Sequence, residues 1–248
     1  MRRPFIYPHR SVRRMSHAAL RVPFALVVGA ALSLVTWMHA GTLLHWHNGI
    51  VTTLSPFAAV EPVPGGTFSV AGRTLEALTV SEPSGPPELG WIVLAIVALT
   101  LVLIGRRFPL LRGAVAFALV ILLATAVRVL VGPAQGLSVH AFTRLWAQTA
   151  VIVWTILPLL TSLLFLVGQP SFGWGLGWMA LVQTFAIVSS ALRAVTVLGV
   201  AQHTGVLLLP TLWFVFGILT DLLFVTAFYG MAIHVALTRL EPRRAAWA

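Results

Sequence analysis

The chain has 248 residues, of which 58% are hydrophobic and only 9% charged, with a mean hydropathy of +0.95. Soluble globular domains carry roughly 25% charged residues, so this composition excludes that class. All 16 basic residues are Arg and the formal net charge is +10, while the absence of Cys excludes disulfides, thiolate catalysis and Cys-ligated metals.

Residues 1–21 form a basic leader with Arg2, Arg3, Arg10, Arg13, Arg14 and Arg21, suited to anionic lipid headgroups. Arg13-Arg14 could be mistaken for a twin-arginine signal, and the run after it for a cleaved signal peptide. The apolar run that follows exceeds the usual 7–15 residues of a cleaved signal, so a retained anchor is expected. Six apolar runs follow, roughly 22–44, 90–105, 113–131, 145–168, 174–200 and 207–236. Spanning a ~30 Å hydrocarbon core takes about 20 residues. The expectation is an all-α integral membrane protein of six transmembrane helices, with a membrane domain over 22–236 and a basic tail over 237–248.

Twelve of the sixteen Arg fall before the first run, between the second and third, or after the sixth; Arg73 and Arg144 lie on the other side. The positive-inside rule then puts both termini in the cytoplasm and the long segment 45–88 outside. Within it, Thr67-Phe68-Ser69-Val70 and Leu75 to Val80 alternate around Ala71-Gly72-Arg73. That pattern predicts a short extracytoplasmic β-hairpin resting on the outer helix ends.

The third run carries Arg128 near its outer end and His140 lies just beyond it, while Glu82-Pro83-Ser84 precedes the second run. An arginine inside a span costs about 2.5–3.5 kcal/mol at a helix centre, so it marks a functional site by default. Snorkelling to the headgroups is the plainer alternative for Arg128, one turn from the boundary. A weak echo of the Arg–His spacing recurs at Arg193 and His203.

The order of these features (Phe-x-Val-x-Gly, a second strand, Glu-Pro-x-Gly, an apolar span, a basic turn, Ala-Val-Arg-Val-Leu-Val-Gly, an outer His) resembles the exosortase/archaeosortase family over about residues 60–168. Members are multi-spanning membrane proteins that process C-terminal sorting signals of exported proteins. The resemblance implies a nucleophile, an Arg and a His as the site. Ser84 stands where the family carries Cys, and Thr125 where it carries Asn. The implied catalytic set is therefore Ser84, Arg128 and His140, with the C-terminal membrane segment of an exported protein as partner. Without Cys, an inactive homologue is the expectation over a peptidase or transpeptidase. A Ser hydroxyl depends on a well-oriented base, a role open to His140, whereas a thiolate is favoured by a nearby cation and still needs a His to move protons. Arg suits the oxyanion of a tetrahedral intermediate.

Asp221 is the only acid within an apolar run, and Arg193 is its best candidate partner, about a turn out of register by residue count. An alternative class follows: a small transporter, or a membrane scaffold or interaction subunit, using Arg193 and Asp221. His39, His45 and His47 cluster at the end of the first run; His45 and His47 share no helical face, and Trp46 between them favours an interfacial belt. No cofactor or metal fingerprint is present, nor a basic groove with aromatics for nucleic acid. The lipid bilayer is the one partner composition requires.

Overall fold

The computed structural model describes residues 18–55, 67–76, 78, 80, 87–109, 112–131, 138–168 and 171–245. Its helices are α1 (Ala18–Met38), α2 (Ala40–Leu54), α3 (Pro87–Arg107), α4 (Arg112–Val131), α5 (Val139–Gly168), α6 (Phe172–Thr204), α7 (Leu209–Trp213) and α8 (Thr220–Ala245). A 3₁₀ turn, Val206–Leu208, precedes α7, and a π-helical segment, Phe214–Leu219, joins α7 to α8. Five stretches are long and apolar enough to cross a membrane: Leu20–Met38, Gly90–Arg107, Val139–Val167, Phe172–Thr204 and Val206–Ala236. In α4 the apolar part among the described residues is shorter, Val115–Val127.

The first apolar run does not continue to residue 44 as one helix. It breaks at His39 (φ −96°, ψ 9°), and α2 carries on to Leu54. Other helices extend past their apolar runs and bury the added residues: α5 begins at Val139 and covers Val139, Phe142 and Thr143, and α6 continues to Thr204.

The α1–α5 pair is the most extensive helix contact. Small residues permit it: a Cβ on Gly29 would collide with Ser162 Oγ and the Leu159 backbone, the close approach that small side chains allow between apolar helices. In α5, Pro158 has no N–H to give the Trp154 carbonyl. Gln183 of α6 supplies the missing donor, Nε2 to Trp154 O at 3.0 Å. Such substitution is what makes proline tolerable in an apolar helix.

The hairpin pairs β1 (Thr67–Val70) with β2 (Arg73–Glu76), Phe68 opposite Leu75 and Val70 opposite Arg73. Ala71 (φ 45°) and Gly72 (φ 80°) make the two-residue turn, the left-handed conformation that tight hairpins require. β2 begins at Arg73, two residues earlier than the alternation places it. Phe68 and Leu75 are buried in a core with Leu44, Trp154 and Val182, while Leu78 and Val80 join a second core with Val51, Phe142 and Val197. Arg73 Nη1 donates to the Trp37 and Met38 carbonyls at 2.6 and 3.0 Å, capping the end of α1.

Candidate functional site

Of the three residues implied by resemblance, the structure describes the side chain of His140 alone. It is exposed in the first turn of α5, where Ser138 Oγ accepts the Ala141 N–H at 3.1 Å and so caps the helix. Arg128 belongs to the last turn of α4, but its side chain lies outside the described residues, as does Ser84 altogether. A cavity of about 320 Å³ opens beside His140's turn. It is lined by Ile121, Ser138, Ala141, Leu145, Pro210 and Trp213, with Phe142 and Leu209 completing it. Its walls are almost wholly apolar, with Ser138 as the one residue bearing a hydroxyl.

A second, polar centre lies where α6 meets the π-helical segment. Arg193 Nη2 and Asp221 Oδ1 are 2.6 Å apart, with side chains 10% and 17% exposed. Arg193 also donates from Nη1 to Phe216 O (2.5 Å) and Gly217 O (3.2 Å), and from Nε to Ser189 O (3.2 Å). A π-helical stretch shifts the backbone hydrogen bonds from i→i+4 to i→i+5, a distortion frequent at functional sites. Thr220 Oγ1 takes up the Val215 carbonyl at 2.6 Å. The guanidinium therefore serves both as counter-ion to Asp221 and as donor to displaced carbonyls. The offset expected from residue count does not survive: the 3₁₀ turn, the π segment and the length of the arginine side chain bring the pair into direct contact.

His47 is 1% exposed, which residue types alone do not disclose. Its Nδ1 lies 3.2 Å from Asn48 Oδ1 and its Nε2 3.5 Å from Ser190 Oγ. The ring sits 5.5 Å from that of Trp154. Burial pushes its imidazole below the ordinary pKa; the bonds to Asn48 and to the Ser190 backbone oppose this, and the nearby Arg193 charge adds to it. A signal was present: Ala40, Leu44, His47 and Val51 are the buried residues of α2, and their spacing is one face of a helix. His45 is exposed on another face, so α2, which continues to Leu54, separates the two imidazoles. Among the described residues no three His, Asp or Glu converge for a metal.

No protein-family model, curated protein or solved structure matches this chain.

Proposed function

We propose that the chain is a six-span protein of the cell membrane, both termini cytoplasmic, that receives the C-terminal membrane segment of an exported protein. α1, α3, α4, α5, α6 and the α7–α8 unit are the spans, and α2 with the hairpin covers their outer ends. The resemblance to exosortases and archaeosortases supplies the substrate class. The observation that carries the reading is the apolar cavity of about 320 Å³ between α4, α5 and α7, beside His140 and two turns before Arg128. Such a volume accepts the side chains of an apolar helix end. The Ser138 hydroxyl can meet a main-chain carbonyl there.

Site-specific photocrosslinking tests it. A benzophenone amino acid at Leu145, which lines the cavity, should capture an exported reporter ending in one apolar span, and not the same reporter without that span. The same group at Leu99, 62% exposed on α3, reports unspecific collision. Equal yields at the two positions would remove the reading.

The direct Arg193–Asp221 contact favours a second reading, a proton- or ion-coupled transporter. A carboxylate held by one oxygen within a span can exchange a proton or cation through the other. Counterflow of protons in sealed vesicles, lost in Asp221→Asn, is its test.

A further inference from the structure

A hydrogen-bonded line runs from the hairpin into the helices. Asn48 Nδ2 donates to the Glu76 carbonyl of β2 at 3.5 Å, which turns Oδ1 toward His47 Nδ1, 3.2 Å away. An amide oxygen only accepts, so in the tautomer that gives its proton from Nδ1 to Asn48, His47 presents Nε2 as an acceptor. Ser190 Oγ lies 3.5 Å from that Nε2. A hydroxyl, a neutral imidazole and a group orienting the imidazole, in this order, are the parts of nucleophilic acyl transfer.

We infer that Ser190, His47 and Asn48 form an acyl-transfer centre, separate from Ser84, that acts on a carbonyl entering from the apolar cavity. Two further observations support it. A void of about 10 Å³ touches His47, Asn48, Thr143 and Trp146, enough for about one water. The Trp146 indole N–H is buried with no acceptor among the described residues, a costly state unless a water or carbonyl oxygen meets it. Phe142 is the one residue that lines both this void and the large apolar cavity. Ser190, 4% exposed, lines neither space and is reached through His47, which borders the void.

The reaction balances on these groups. Ser190 Oγ bonds to the acyl carbon as its proton passes to His47 Nε2, and the carbonyl electron pair moves to oxygen. Collapse breaks the bond to the leaving amine or alcohol, which takes the proton from Nε2. A water then attacks, again losing a proton to His47, and Ser190 leaves with that proton as the acid is released. The identity of the acyl group, a peptide bond beside an apolar span, rests on the proposed function; the reactivity of Ser190 does not.

The test is labelling of the full-length protein in lipid nanodiscs with a biotinylated alkyl fluorophosphonate, mapped by mass spectrometry. Ser190 should carry the label. Ser190→Ala should abolish it, and His47→Gln should slow it about a hundredfold, the usual contribution of a general base. Phe142→Ala should accelerate it, and Thr196→Ala, on the exposed side of α6, should leave it unchanged. Melting curves confirm that each variant is folded. Label on Ser84 instead would overturn this inference and leave the sorting reading standing. No label in either the wild type or a folded Phe142→Ala variant would overturn it as well. Label on Ser190 without crosslinking at Leu145 would keep the centre and discard the peptide substrate.

Discussion

Arg193 and Asp221, 28 residues apart in the chain, meet at 2.6 Å and tie α6 to the start of α8. Breaking a buried pair by removing one partner costs about 3–5 kcal/mol, because the other charge is left uncompensated, while replacing both costs much less. Arg193→Leu and Asp221→Leu should each lower thermal stability in detergent markedly. The double variant should lose less than the sum of the two, yet stay below wild type, because the Phe216 and Gly217 carbonyls lose their donor. Additive losses in the cycle would show that the two charges act independently.

The same pair illustrates what could and could not be read beforehand. Two lone charges in neighbouring apolar runs are conspicuous, so the partners were identifiable. Their register was not, since counting residues assumes one helical rise throughout, and Val206–Leu208 and Phe214–Leu219 depart from it. The hairpin was legible because Phe68 and Leu75 alternate with polar neighbours around Gly72, a local pattern. His47 was not. Its burial depends on α2 packing against α6, and nothing within residues 40–54 states which neighbour will cover their apolar stripe. The Gln183 bond to Trp154 O likewise pairs a missing donor at Pro158 with a side chain on another helix.

His47 makes stability depend on pH. Its folded pKa lies below its ordinary value, so below about pH 6.5 the unfolded chain binds more protons than the folded one. Stability should therefore be full above that pH and fall as the pH drops through it toward the folded pKa. His47→Gln should flatten the difference between pH 7 and pH 5 in melting temperature. An unchanged slope in that variant would place the titration elsewhere.

Glycine positions test the helix packing. A Cβ on Gly175 would lie 2.9 Å from both Phe165 O and Leu166 Cδ2, whereas one on Gly177 meets nothing within 4 Å. Overpacking costs typically about 1–3 kcal/mol. Gly175→Ala should lower the melting temperature and Gly177→Ala should not. If both behave alike, α5 and α6 do not approach as closely as the structure has them.

The proposed topology predicts which reagents reach which end. The Arg of the leader, of the α3–α4 turn and of the tail are to be cytoplasmic, with residues 45–88 outside. In the Cys-free chain, Gly65→Cys should react with a membrane-impermeant maleimide added to intact cells, and Arg243→Cys only after lysis. The reverse pattern would invert the protein and place the apolar cavity at the cytoplasmic face.

The last comparison separates the two functional readings. A sorting protein needs its cation where the substrate's cleavage site emerges, at the outer end of α4, so Arg128→Ala should abolish crosslinking or processing of the reporter. Asp221→Asn should reduce it only to the extent that it destabilises the fold. A transporter inverts this order, because exchange of a proton or ion takes place at the carboxylate within the span and not at an outer arginine. Both variants are to be assayed at equal amounts of folded protein, with reporter crosslinking and vesicle proton flux measured on the same preparations. Arg128→Ala is expected to lose crosslinking about tenfold or more, the scale of one charge-assisted hydrogen bond at about 1.5–3 kcal/mol, with Asp221→Asn close to wild type. Loss confined to Asp221→Asn, accompanied by loss of proton flux, would replace the sorting function by transport.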